Sequence, residues 1–232
     1  MPDTEVPATG LVAAFRRPTP YLLTPQHIQI LIQAAESSGG EKTCAPSPFS
    51  TMIGLMASTG LRVGETLRLT IGDVRLDQTP PFLHIRETKF HKSRFVPVHP
   101  TTAAQLRHYL TRRCTLPATA VSDLCFVLEN GQALTHKAFG HRFATLCRQL
   151  TLWPTDGGRR PSPHALRHAF AIERIRCWYH EGADVQTLLP CLSVYLGHVR
   201  PQESYWYLTA TPELLTTAAA RFEHYAARGD AS

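Results

Sequence analysis

The sequence contains no apolar run approaching the roughly 20 residues that cross a bilayer, which excludes a membrane-spanning helix. Its first ten residues, MPDTEVPATG, have neither the basic start nor the apolar stretch of a secretory signal. Six cysteines are present (Cys44, Cys114, Cys125, Cys147, Cys177 and Cys191), but none forms a C-x-x-C pair. A chain of 232 residues also has room for a core that needs no disulfide framework. Internal repeats and low-complexity tracts are missing too. These absences set the expectation of a reduced, cytoplasmic protein that binds no membrane.

What is there is an ordinary globular mixture, 43% hydrophobic and 18% charged. The formal net charge of +6 and a pI near 9.2 suit a polyanionic partner. Residues 1–20 hold several prolines and no sustained period, so they read as a flexible leader or linker stub. Thr24 stands where a helix N-cap belongs, with Pro25 at the first helical position and Ile28, Leu31, Ile32 and Ala35 at helical spacing. The pattern predicts a second helix over Pro48 to Ser58, broken by Thr59-Gly60, and a third from Val63 that carries Leu67 and Leu69 inward.

The period then changes. Phe82, His84 and Arg86 alternate with Leu83, Ile85 and Glu87, and Arg94 to Val98 is extended again after the polar turn Lys89 to Lys92. Two such runs predict an antiparallel hairpin, to which Val74-Arg75-Leu76 can add a third short strand. Helical signals return over Thr102 to Arg113, Thr135 to Leu150, Ser162 to Glu181, Asp184 to Leu196 and Pro212 to Ala227. The expected fold class is α+β and mostly helical, a small antiparallel sheet beside a helical bundle.

Four separated pieces carry chemistry: Thr59-Gly60-Leu61-Arg62-Val63-Gly64-Glu65, the turn around Lys89, His164-Ala165-Leu166-Arg167-His168, and Leu196-Gly197-His198 followed by Tyr207. Singly each is ordinary: a lysine in a hairpin turn is normally a solvated charge, and His-x-x-Arg on a helix is normally surface. In this order and spacing they resemble the tyrosine recombinase (phage integrase) family. That family has an Arg in a TGLR-x-x-E box, a Lys in a hairpin turn, H-x-x-R, then LGH, and a nucleophilic Tyr nine positions beyond that His. The matching residues are Arg62, Lys89, His164, Arg167, His198 and Tyr207, and the likeness runs from about Tyr21 to Ala227.

The resemblance implies an enzyme that cuts and rejoins double-stranded DNA through a 3′-phosphotyrosine, with no metal, ATP or other cofactor. Two guanidinium forks, Arg62 and Arg167, would hold the non-bridging phosphate oxygens. A base such as His164 would help ionise Tyr207, whose phenolate costs about 4 kcal/mol at pH 7. Lys89 would protonate the leaving 5′-oxygen, with Lys92 the alternative, and His198 would donate to the phosphate. Tyr205 is the rival nucleophile, which the nine-residue offset disfavours. His168 reads as structural or as a phosphate neighbour.

The resemblance also implies a monomer that forms a homotetramer on paired sites, nucleoid-associated when bound to DNA. It assigns residues 21–232 to the catalytic domain, without the N-terminal core-binding domain that such enzymes usually carry. Three other readings compete. A zinc site at His164 and His168 lacks the Glu that a metalloprotease places after its first His. Type IB topoisomerase-like relaxation and a non-catalytic DNA-binding protein on the same fold are the other two.

Overall fold

The computed structural model describes residues 20–37, 46–86, 93–115, 122–128, 130–155, 157–198 and 202–209, together with residue 216. The chain opens on α1 (Pro25–Ser37), where the Thr24 hydroxyl accepts from the His27 amide at 3.1 Å and Leu31 and Ala35 turn inward. Next comes α2 (Pro48–Thr59), capped by Ser47 and begun by Pro48. It buries Phe49, Met52, Ile53, Leu55 and Met56, more than one face of a helix, because it runs between α1 and the later helices. Each such side chain contributes roughly 1.5–3 kcal/mol on leaving water.

Gly60 ends α2 with φ +66°, and a β-carbon there would fall 2.6 Å from Phe170 Cδ1 and 2.8 Å from Leu196 Cδ2. Only glycine serves both the left-handed backbone and the close approach. The short α3 (Val63–Leu67) follows. Leu69, expected on this helix, lies beyond its end; it is still buried, while Leu67 is only half-buried.

A single 3-10 turn (Ile71–Asp73) leads into the sheet: β1 (Val74–Arg75), β2 (Phe82–Ile85) and β3 (Arg94–Pro97), antiparallel in that order. Leu83 pairs with Val74 on one side and Val96 on the other, and Ile85 pairs with Arg94. Leu83, Ile85 and Val96 pack into the main core, while Phe95 lies on the outer face against Phe82 and His84. The polar turn expected between β2 and β3 falls outside the described residues.

Helix α4 (Pro100–Arg113) starts two residues before the expected Thr102, since Pro100 has the φ of a first turn and the His99 ring accepts from Thr101 N. Buried Arg113 at its end holds the carbonyls of Leu124 (3.0 Å) and Ser122, tying the 122–128 segment down. Next are α5 (His136–Gln149), capped by Thr135, then α6 (His164–His180) and α7 (Val185–Leu196), which ends at Gly197 with φ +68°. A four-residue α8 (Gln202–Tyr205) runs into a 3-10 turn, Trp206–Thr209. Here Tyr207 joins a second core with Ala171, Ile175, Val185, Leu189, Leu192 and Leu196. Of the helix expected over Pro212 to Ala227, only Thr216 is among the described residues, and it is helical. Among those described, no helix is long and apolar enough to cross a membrane.

Candidate active site

The ends of α2 and α7 meet the starts of α3 and α6, and Gly60 and Gly197 let them come close. Arg62 precedes α3 and is locked there: its amide donates to Glu65 Oε2 and its Nη1 to Glu65 Oε1, both at 3.0 Å. Its Nη2 donates to the Gly197 carbonyl at 3.0 Å. Buried Glu65 is gripped from the other side by Arg94 of β3, at 3.1 and 2.9 Å, while Arg94 Nε donates to the Tyr195 carbonyl at 2.9 Å. Burial pushes the Glu65 carboxyl up, but the bonds and charges of Arg94 and Arg62 outweigh it and leave it below its ordinary value. Arg62 is thus held in one geometry while its side chain stays 33% exposed.

Arg167 comes from the first turn of α6 and is only 1% exposed. Its Nη1 donates to the Gly60 carbonyl at 2.8 Å and its Nη2 to the Leu196 carbonyl at 2.7 Å. Its Nε is buried without a hydrogen-bond partner among the described residues. Burial and then the neighbouring Arg62 charge lower its pKa to about 10, so the guanidinium stays charged at neutral pH.

Two imidazoles stand against this charge. Surrounding protein and then Arg167 and Arg62 push His198 down to about 3. His164 goes down to about 4 from the same three causes, with exposed Arg159 adding to them. The His164 ring nevertheless keeps a face open to solvent, so its shift is the softer of the two. Both rings are neutral at pH 7. His198 Nδ1 bonds the Ser204 hydroxyl at 2.8 Å.

Tyr207 is 2% exposed, and its ring lies nearly parallel to that of His198, centroids 6.2 Å apart. Its hydroxyl is bonded to Nδ1 of His168 at 3.1 Å. His168 in turn meets His164 edge-on at 4.5 Å and packs on Trp206 at 5.5 Å. Tyr205, two residues earlier, is 49% exposed and outside this group. The fold therefore brings Arg62, His164, Arg167, His198 and Tyr207 together from four separate stretches, while Lys89 and Lys92 lie outside the described residues.

Sequence reasoning leaves Arg94 unassigned and reads His168 only as structural or as a phosphate neighbour. Arg94 read only as part of a strand, yet alternation puts it in phase with buried Val96 and Val98, a signal of an inward-facing charge. His168 sits one helical turn after His164, on the same face of α6.

The fold is that of the tyrosine recombinases. The model of the phage integrase family matches residues 22–213, and the chain belongs to that family. It is 40% identical over 230 residues to a putative integrase/recombinase, y4rB, of Sinorhizobium fredii, covering 96% of this chain and 72% of the relative. It is 33% identical over 150 residues to the tyrosine recombinase XerD of Shewanella oneidensis, covering 63% of this chain and 44% of that protein. Among solved structures, XerA recombinase superposes with a TM-score of 0.69 at 23% identity, covering 89% of this chain and 66% of that one. A post-cleavage complex of XerH with a palindromic difH substrate gives 0.63 at 22% identity, covering 88% and 54%. The chain thus spans less than half of XerD and about two thirds of XerA.

Proposed function

We propose that this chain is a site-specific DNA recombinase that cleaves and rejoins strands through a phosphotyrosine at Tyr207. The observation that carries the reading is that a buried tyrosine shares one pocket with two charged guanidiniums and two neutral imidazoles. A DNA phosphate resists attack because its own charge repels the nucleophile, and more charge builds on its oxygens as attack proceeds. Arg62 and Arg167 supply fixed positive charge where it builds, and they do so without reorganising, since Glu65 and the backbone carbonyls already hold them. Neutral His164 and His198 can donate to the same oxygens. That chemistry calls for neither a metal nor ATP.

In the step proposed, the Tyr207 oxygen bonds phosphorus as its proton leaves, and the bond from phosphorus to the 5′-oxygen breaks. Lys89, carried over from the family's hairpin lysine, gives that oxygen a proton. The 3′-phosphotyrosine keeps the energy of the broken bond, so a 5′-hydroxyl from another strand can attack it in reverse. The complex of XerH with its difH substrate and that of the Tn1549 transposon integrase with transposon right end DNA, both of this fold, support DNA as the partner, double-stranded in our reading. We place the protein as a monomer alone and a homotetramer on paired sites, with the nucleoid as its working place.

The test uses nicked suicide duplexes tiled across the DNA flanking the gene, with covalent adducts read on denaturing gels. At least one duplex should give an adduct that persists in EDTA. Failure of every duplex, with the protein bound to them, would leave only a DNA-binding function.

A further inference from the structure

We propose that His168 is the base that takes the proton from Tyr207. The inference rests on the reading of Tyr207 as nucleophile and adds the residue that ionises it. The imidazole is placed for it: Nδ1 of His168 lies 3.1 Å from the hydroxyl oxygen, within the range over which a proton is passed. In the neutral ring with its hydrogen on Nε2, Nδ1 accepts from the phenol. The ring is kept in place by Trp206 on one side and His164 on the other.

The other two histidines are less suited. His198 presents its ring face to the tyrosine ring, and its Nδ1 is engaged by Ser204. His164 makes no hydrogen bond to Tyr207 and touches His168 instead. Burial, and after it the two guanidiniums, lowers His198 to about 3 and His164 to about 4 and makes both weak proton acceptors. Helix α6 divides the labour by geometry. Arg167 points into the core toward the ends of α2 and α7, and the next residue, about 100° further round, meets Tyr207.

The step balances simply. The O–H bond of Tyr207 breaks, its proton goes to Nδ1 of His168, and the oxygen's electron pair forms the bond to phosphorus. When a 5′-hydroxyl later displaces the tyrosine, the imidazolium returns the proton to the departing phenolate. No co-reactant is consumed.

Single-turnover adduct formation on the tiled suicide duplexes tests this, with mobility shift on the same duplexes reporting binding. His168→Ala should slow adduct formation by about a hundredfold or more while binding is kept. Added imidazole should restore at least a tenth of the wild-type rate to His168→Ala and none to Tyr207→Phe. His168→Asn keeps an acceptor near the Nδ1 position but cannot carry a proton, so it should stay slow even if the alanine variant folds poorly. Wild-type rates in His168→Asn, or an alanine variant deaf to imidazole, would overturn the proposal. An adduct that survives Tyr207→Phe would sink the nucleophile reading and this inference together. An adduct that needs Tyr207 but is indifferent to His168 would sink this inference alone.

Discussion

Arg167 reaches across 107 residues of chain to place Nη1 2.8 Å from the carbonyl oxygen of Gly60. A second bond, to the Leu196 carbonyl, makes this one side chain the tie between the ends of α2 and α7. The residue proposed to hold the phosphate is therefore also part of what builds the phosphate's pocket.

Arg62 and Arg167 should consequently fail in different ways. Arg167→Ala leaves two carbonyls without their charged donor, each such bond being worth about 1.5–3 kcal/mol. Its thermal midpoint should drop by several degrees, and its cleavage rate should fall as well. Arg62→Ala leaves Glu65 still held by Arg94 and strips one carbonyl, that of Gly197, beside a side chain that is one-third exposed. Its midpoint should fall less than that of Arg167→Ala while cleavage falls about a hundredfold or more. Equal midpoints for the two variants would contradict this division.

Gly60→Ala should destabilise the chain by roughly 1–3 kcal/mol through backbone strain, before any clash is counted. The added methyl would lie 2.6 Å from Phe170 and 2.8 Å from Leu196, so those side chains must also shift. Because the same carbonyl binds Arg167, the variant should lose cleavage more than DNA binding. Chemical denaturation paired with adduct assays checks both, and an unchanged denaturation midpoint would tell against the close packing.

The pocket histidines predict how stability depends on pH. His198 titrates at about 3 in the folded protein against an ordinary 6.5, so below pH 6.5 the unfolded chain takes up a proton that the folded chain refuses. Its contribution is complete above pH 6.5 and is lost as pH falls toward 3, at a slope of no more than about 1.4 kcal/mol per pH unit. His164 acts in the same direction, weakened by its contact with solvent. Glu65, whose pKa lies below 4.5, keeps its contribution down to that pH and loses it only lower, so pH 4.5–6.5 belongs to the histidines. Denaturation curves should show stability falling across that window, and His198→Gln should flatten the fall. A rise in stability on acidification there would reverse the sign and refute the account.

Much of this was legible in the chain itself. The Thr24 cap and Pro25 mark α1, the Thr59-Gly60 break marks the end of α2, period-two alternation marks the hairpin strands, and the order of the motifs points to the recombinase fold. Gly60 and Gly197 could be read as breaks, but their close approach to Phe170 and Arg94 could not, because that depends on which helix ends meet. The same holds for the pairing of His168 with Tyr207, 39 residues away in sequence. Spacing chose Tyr207 over Tyr205; burial and the His168 bond then separate the two physically. Arg94 was the quietest signal, since one arginine in a strand looks exposed until its register with buried valines is counted.

The most direct test of the central claim is to find the residue that carries the DNA. A suicide duplex that traps the wild-type protein should be digested with protease and nuclease, and the nucleotide-bearing peptide sequenced by mass spectrometry. A single modified residue, Tyr207, is expected, with the adduct abolished by Tyr207→Phe and retained by Tyr205→Phe. A nucleotide on Tyr205 or any other side chain, or an adduct undiminished in Tyr207→Phe, would contradict it.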